Sequence, residues 1–409
     1  MEQKVIRAAL LGFGTVGTGV YKVLQKQKEE MLPKLGSQLE IKKILVRNLE
    51  KAAAKVEDPA ILTNNWDEIV NDPDIDIVIE LIGGIEPARS YILSALNAGK
   101  HVVTANKDLI AVHGKELLDA AEAHHVDFLC EAAVAGGIPI IRPLKQCLAG
   151  NHMTEVMGIV NGTTNFILTK MIKEGLPFDT ALKQAQEKGY AEADPTADVE
   201  GFDACRKICI LASLAFGRHI VPAQVPTQGI TRVTAEDVML AEAAGMNIKL
   251  LGRAIRQEDG KVTAYVAPHL IPKEQQLAGV EDVFNGIVVR GDAIGDVMFY
   301  GRGAGKLPTA SAVSADIIDA VKHKAYRQNM DWAPGGDDVV GSVSALPLCW
   351  FLRTEEAPER ITAAFGEVKT VSAAALPGQT GVLTGPMTKT ELEQRLAACK
   401  VLTCLPVLD

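Results

Sequence analysis

The 409-residue chain lacks any apolar run long enough to span a bilayer. ICILASLAFG at 208–217 is ten residues, where a membrane helix needs about 20. It also lacks a basic excess: 42 Lys and Arg stand against 51 Asp and Glu, a net charge of −9. That disfavours nucleic acid and anionic membrane surfaces as partners. The opening MEQKVIRAALLGFG has no signal-peptide layout, because its apolar run leads into a glycine turn rather than a cleavage site. The expectation is a cytoplasmic protein. The seven cysteines are odd in number and scattered. Cys205 and Cys209 share a helix face, but no second pair or histidine stands at zinc spacing, so buried free thiols are expected. Aromatics are few, and Trp66, Trp332 and Trp350 read as packing residues. There is no internal repeat and no low-complexity tract.

What is present is an acidic concentration at 189–207, GYAEADPTADVEGFDACRK. It packs Glu192, Asp194, Asp198, Glu200 and Asp203 into nineteen positions and ends on Arg206 and Lys207. Gly189, Pro195 and Gly201 argue for a shaped loop rather than a solvated helix face. From Gly201 the pattern turns helical, which sets Asp203 and Lys207 four apart on one face. A lysine held beside carboxylates at a loop–helix junction can bind a polar substrate and handle a proton. The plainer alternative is a surface salt-bridge ladder.

The first part of the chain reads as a dinucleotide fold. The strand 4–11 runs into GFGTVG, with Gly12, Gly14 and Gly17 at GxGxxG spacing, and a helix follows to about Lys28. Gly12 permits the tight turn, Gly14 lets a pyrophosphate approach the backbone, and Gly17 allows close strand–helix packing. Phe13, Thr15 and Val16 complete the loop at the helix N-terminus, which meets the phosphates. After the second strand, 41–46, an NAD enzyme carries an acidic residue for the ribose; here Arg47 stands there, which suits the 2′-phosphate of NADP, with Glu50 nearby keeping NAD open. Further strands are expected at 75–83, 101–105 and 126–130. Their alternation with helices predicts a parallel sheet with ligands at the strand C-termini. Thr104 and Lys107 fall at that edge, and Glu131 is delivered to it. A lysine that merely starts a helix is the plain reading of Lys107.

Later segments read as strand–helix units and a hairpin around Glu258–Lys261, followed by GRGAG before another helix, a second anion-friendly N-terminus. A Gly-, Asp- and Pro-rich stretch from 327 to 341 reads as a linker. Beyond it the elements follow a βαββαβ order, which is ferredoxin-like.

These motifs together resemble homoserine dehydrogenase: GFGTVG, ELIGG (80–84), VVTANK (102–107), EAAVAGGIPII (131–141), GIVNGTTNFIL (158–168) and, above all, the acidic signature. The likeness covers about residues 4–325. It implies an α/β protein with four parts. They are a Rossmann-type NAD(P)-binding domain at 1–133 with a return segment near 300–325, an α+β substrate and dimerisation domain at 134–299, a linker at 326–341, and a small ferredoxin-like ACT domain at 342–409. No aspartate-kinase segment precedes the glycine loop, so the expected form is monofunctional.

The resemblance implies interconversion of L-homoserine and L-aspartate 4-semialdehyde with NADP or NAD, in threonine and methionine biosynthesis. Lys207 is then the acid/base, and Lys107 the second catalytic lysine, beside the cofactor. Glu192 and Asp203 bind substrate, with Asp198 in the same network. Backbone N–H groups near Gly189 or Thr163-Thr164 are candidate donors for the substrate carboxylate, and Gly189 and Gly303 are further candidate cofactor contacts. A monovalent cation fits Glu131 and its turn better than zinc does. Similar enzymes hold sodium with this glutamate and the carbonyls of Val134, Gly136 and Ile138. The alternative is a hinge turn with Glu131 as a helix cap. A homodimer or homotetramer is expected, with L-threonine as effector of the ACT-like tail. The tail departs from the ACT pattern, because Glu359 replaces the usual glycine after Pro358. The competing functions are a related NADP-dependent amino-acid oxidoreductase and a non-catalytic nucleotide or amino-acid sensor.

Overall fold

A computed structural model describes residues 5–322, 332–397 and 399–408. The chain forms two compact units. One gathers 1–150, 213–221 and 302–335; the other gathers 151–212, 222–301 and 336–409. Among the described residues no helix is long and apolar enough to cross a membrane.

The first unit is a six-stranded sheet of β1 (Val5–Leu11), β2 (Gln38–Leu45), β3 (Leu62–Thr63), β4 (Ile77–Glu80), β5 (His101–Thr104) and β6 (Phe128–Leu129). The order is β3-β2-β1-β4-β5-β6, with every neighbouring pair parallel. Such a sheet is covered on both faces, so its strands are runs of Val, Ile, Leu and Ala; Ala8, Leu10, Ile44, Ile79 and Val103 are fully buried. The helix Thr15–Lys26 follows β1. Its Val20 and Leu24 share a core with Ala310, Val313 and Ile317 of the return helix Lys306–Lys322. Strand order reverses between β1 and β4, which is where a nucleotide crevice forms in such sheets.

The sequence boundary at 133/134 falls earlier than the observed one at 150/151. The reason is local: the Glu131 carboxylate accepts the N–H groups of Ile140, Ile141 and Arg142 and ties that segment to the sheet. The expected linker is anchored where it is described. Trp332 is buried and stacked on His219, and Ala333 exchanges hydrogen bonds with Gly217 and His219. Its portion 326–331 lies outside the described residues.

The second unit is one nine-stranded sheet. It contains β7 (Met153–Ile159), the long hairpin β8 (Met246–Arg256) and β9 (Val262–Pro272), then β10 (Phe284–Gly291) and β11 (Gly295–Arg302). The tail adds β12 (Cys349–Thr354), β13 (Lys369–Val371), β14 (Thr380–Leu383) and β15 (Val401–Val407), with helices Pro358–Phe365 and Lys389–Leu396. The order is β11-β10-β7-β8-β9-β15-β12-β14-β13. Within the tail, β15-β12-β14-β13 is antiparallel throughout, the expected ferredoxin-like arrangement. The tail is not a separate sheet. β15 meets β9 at Val407 and Leu270, and the buried Arg353 of β12 pairs with the fully buried Asp237.

None of the seven cysteines forms a disulfide, and the expectation that they are buried holds only for Cys130, Cys205 and Cys209. Cys147 is exposed and the other three are half-buried.

Candidate active site

The nucleotide end is made by backbone. Gly12 has φ +93°, and a Cβ there would lie 2.8 Å from the Leu81 carbonyl oxygen. A Cβ on Gly17 would lie 2.2 Å from the Gly12 oxygen, whereas one on Gly14 meets nothing within 4 Å. Two glycines therefore close the turn and the third leaves open space. Gly14 caps the helix Thr15–Lys26 without a side-chain hydrogen bond, so the first-turn N–H groups of Thr15, Val16 and Gly17 remain for an anion. A cleft of about 700 Å³ opens here, lined by Gly12, Phe13, Gly14, Arg47, Lys51 and Lys55 among others. All three cations are exposed, and none forms an ion pair among the described residues. Lys51 and Lys55 were missed from the sequence, although 47, 51 and 55 recur every four residues.

A buried network sets the edge of β4 and β5. Glu80, fully buried, accepts the N–H groups of Ile82 and Gly83 and the Thr104 hydroxyl (2.6 Å). The Asn106 amide nitrogen donates to the Gly84 carbonyl (2.7 Å), while its oxygen caps the helix Lys107–Ala123. Thr104, expected at this ligand edge, is fully buried, and its hydroxyl holds the edge through Glu80. Lys107 is half-buried at the first helical position. A cation there opposes the helix dipole, so helix stability does not explain it.

At the expected cation turn, Glu131 caps the helix Ile141–Lys145, with both carboxylate oxygens engaged at 2.7–2.9 Å. That geometry matches the helix-cap reading. The carbonyls of Val134, Gly136 and Ile138 accept no hydrogen bond among the described residues, and all three residues are buried. Ala135 (φ 54°) and Gly136 (φ 52°) turn successive peptides, and Gly136 lies against the Gly303 carbonyl. Unpaired buried carbonyls fit a hard monovalent cation. No group of three or more His, Cys, Asp or Glu among the described residues could hold a transition metal. The fully buried Asp316, missed from the sequence, accepts the Glu131 N–H (2.8 Å) and the Arg142 guanidinium (3.0 Å). Burial first, then Glu131, raises its pKa well above the usual carboxylate range.

The acidic end is made by side chains. The helix Phe202–Phe216 starts after Gly201 and presents Asp203 and Lys207, both buried. The Lys207 ammonium donates to Asp203 Oδ2 (2.6 Å) and to the Val160 carbonyl (2.7 Å). Its third N–H has no partner among the described residues, so it remains for a ligand oxygen. Asn161, missed from the sequence, organises the cluster. Its amide nitrogen donates to Asp198 Oδ1 (2.7 Å) and Asp203 Oδ2 (2.8 Å), and its oxygen caps the helix Gly162–Glu174 at Thr164. Burial pushes the Asp198 pKa up, against the Asn161 hydrogen bond and with the Asp203 charge.

Other sequence-predicted residues fall differently. Glu192 is exposed, with no side-chain hydrogen bond among the described residues. The Gly189 and Thr164 N–H groups, proposed as substrate donors, are taken by Gln186 and Asn161. The Thr163 hydroxyl donates to the Tyr190 carbonyl (2.7 Å). Tyr190 and Phe202 flank the acidic loop as exposed aromatics.

Comparison with known proteins agrees with this division. A family model described as the homoserine dehydrogenase NAD-binding domain matches residues 12–131, and one described as homoserine dehydrogenase matches 139–318. The chain is 47% identical to a homoserine dehydrogenase of Bacillus subtilis (strain 168) over 339 residues, 83% of this chain and 76% of that one. Among solved structures, a homoserine dehydrogenase from Thiobacillus denitrificans is similar with a TM-score of 0.91 and 39% identity, covering 100% of this chain and 99% of its own. A hyperthermophilic archaeal homoserine dehydrogenase in complex with NADPH aligns with a TM-score of 0.65 at 27% identity, covering 77% and 97%.

Proposed function

This chain belongs to the homoserine dehydrogenase family, and on that premise we propose how its own residues carry the reaction. The protein is an oxidoreductase that reduces L-aspartate 4-semialdehyde to L-homoserine, and the reverse, with a nicotinamide cofactor. When bound, the nicotinamide supplies or takes the hydride at the aldehyde carbon. Lys207 directs its remaining N–H at the aldehyde oxygen, stabilises the charge that develops there and donates the proton. In the reverse direction its neutral amine takes the hydroxyl proton. Lys107, at the nucleotide edge of the first unit, is the second catalytic lysine on this reading. Glu192, with no side-chain hydrogen bond among the described residues, receives the substrate ammonium. Asp203 and Asp198, tied by Asn161, hold the array. The observation that carries the assignment is the buried chain Asp198–Asn161–Asp203–Lys207–Val160.

NADP is the preferred cofactor on this reading, supported by Arg47, Lys51 and Lys55 on one cleft. A monovalent cation such as sodium would be held by the carbonyls of Val134, Gly136 and Ile138 together with Glu131, whose carboxylate also fixes the turn. The enzyme is a cytoplasmic homodimer or homotetramer; the exposed Ile294 and Tyr300 at the β11 edge support association. The ferredoxin-like tail is a dimerising and effector-binding module, with L-threonine as its ligand.

Homoserine with NADP⁺ at alkaline pH should raise absorbance at 340 nm. Lys207→Ala should lower kcat by about 100-fold to 10,000-fold, the range of general acid–base catalysis, with NADP⁺ affinity retained. An unchanged kcat removes Lys207 from the role.

A further inference from the structure

The reaction as derived above leaves one buried polar group of the second unit without a task. Asn285, on β10, is 1% exposed, and its Oδ1 accepts no hydrogen bond among the described residues. A buried amide oxygen without a donor is costly, so it calls for a ligand or a bound water. The fold fixes its position. Asn165, one turn along the helix Gly162–Glu174 from the cap Asn161, donates through Nδ2 to the carbonyls of Val280 (3.2 Å), Asp282 (3.0 Å) and Phe284 (3.1 Å). Thr169, one turn further, accepts the Asp282 N–H (3.0 Å). Gly162 makes room for the Val283 carbonyl oxygen, which a Cβ would approach to 2.8 Å. One polar stripe, Asn161, Asn165 and Thr169, therefore ties the acidic cluster to the segment that presents Asn285.

β10 pairs with β7 in a register that sets Gly286 opposite Ile159 and Ile287 opposite Gly158. One step further sets Asn285 opposite Val160, whose carbonyl holds Lys207. Opposed residues of antiparallel strands share a face, with Cα atoms about 4.5–5.5 Å apart. Gly158 identifies the face. It pairs with Gly252, and a Cβ on Gly252 would lie 2.9 Å from the Ile208 Cβ, in the helix that carries Lys207. Side chains alternate with period two, so Asn285, two positions before Ile287, points to the Lys207 side of the sheet. Two unmet groups thus lie on one side of one strand end: the third N–H of Lys207, a donor, and Asn285 Oδ1, an acceptor. They do not bond each other. A group that satisfies both must accept from the ammonium and donate to the amide. A hydroxyl does both, whereas an aldehyde oxygen only accepts.

We propose that Asn285 is a substrate-binding residue that recognises the alcohol: the L-homoserine hydroxyl accepts the Lys207 N–H and donates to Asn285 Oδ1. This rests on Lys207 standing at the reacting oxygen. The aldehyde gains nothing from Asn285, so the contact distinguishes the two ends of the reaction. In the oxidising direction the hydroxyl gives up this bond as its proton passes to the neutral Lys207 amine.

Calorimetry on the full-length protein with the reduced cofactor, which cannot oxidise the alcohol, compares L-homoserine with L-2-aminobutanoate, the same molecule without its hydroxyl. Asn285→Leu should weaken L-homoserine by about threefold to tenfold, the worth of one neutral hydrogen bond, while L-2-aminobutanoate keeps its affinity. The cycle of protein and ligand changes isolates the hydroxyl–amide contact. Equal loss for both ligands would make Asn285 a packing residue, and no loss for either would assign its oxygen to a bound water; each result overturns the proposal. The amide oxygen has no partner in the fold, so Asn285→Leu should not lower Tm. Should that variant fail to fold, Asn285→Ala is read in the same cycle with the same expected outcome. The measurement needs no turnover. A positive cycle beside an unchanged kcat in Lys207→Ala strikes only the acid/base reading, and a flat cycle beside a collapsed kcat strikes only Asn285.

Discussion

The two ends of this enzyme are built from different materials. At the nucleotide end, glycine positions and helix amides make the site, and hardly any side chain needs to be placed. At the acidic end, the site is a buried side-chain network gathered from 160–164, 198 and 203–207. The first depends on residues a few positions apart in one loop. The second depends on a strand end, a loop and a helix arriving together. Backbone sites therefore announce themselves by spacing, whereas side-chain networks do so only through a signature that is already familiar.

The comparison can be tested from both sides. Among residues that act through others, removing the network's organiser should have the largest effect. Asn161→Ala should lower kcat by about tenfold to 100-fold, the worth of hydrogen bonds to charged groups, and should move the acid limb of the pH–rate profile, while cofactor Kd stays constant. A kcat loss with an unmoved pH profile would make Asn161 only a helix cap. Gly17→Ala should do the converse. The strand–helix contact must open to admit a Cβ 2.2 Å from the Gly12 oxygen. Overpacking of that kind costs about 1–3 kcal/mol, so cofactor Kd should rise by about tenfold or more with homoserine Kd preserved. Equal losses in both would show that the two ends do not act independently.

Arg47→Asp sharpens the cofactor side further. The ratio of kcat/KM for NADP⁺ to that for NAD⁺ should fall by about tenfold, as for loss of one charge-assisted hydrogen bond. A proportionate change with both cofactors would show that the arginine does not read the 2′-phosphate.

A test of stability rather than turnover concerns a second buried lysine in the acidic unit. Lys249 donates to Val280 O (2.5 Å) and Asn165 Oδ1 (3.1 Å), with no carboxylate on its ammonium. Burial lowers its pKa to about 8. Between there and the ordinary lysine value, the unfolded chain holds the extra proton, so this group's contribution makes stability rise with pH across about 8 to 10.4. Lys249→Met should lack that rise, and the difference between the two proteins should amount to at most about 3 kcal/mol. Denaturant melts at pH 7.5 and 9.5 measure it. Parallel pH curves would mean that Lys249 stays charged in the fold.

Much of the first unit could be read in advance. The strand–GxGxxG–helix unit, the parallel alternation and Arg47 on the cleft all lie where spacing put them. The ends were less legible. β4 stops at Glu80 because that carboxylate folds back onto the next two N–H groups, and β6 is only two residues long. In the acidic unit, the Asp203–Lys207 pair followed from helical spacing, because four residues are one turn. Asn161 did not follow, since its partners lie 37 and 42 residues away. Glu131 was legible as a functional position, but its choice between cation and helix cap turned on where the N–H groups of 140–142 arrive.

The order of residues by itself determined the nucleotide loop, the βαββαβ tail and the acid–lysine face, because each is set by geometry within one or two elements. Only the tertiary structure decided that the tail extends the central sheet through β9 and that Asn161 binds two carboxylates at once. Those contacts join groups far apart in the chain, and their energies exist only once the sheets have brought the groups together and excluded water from between them.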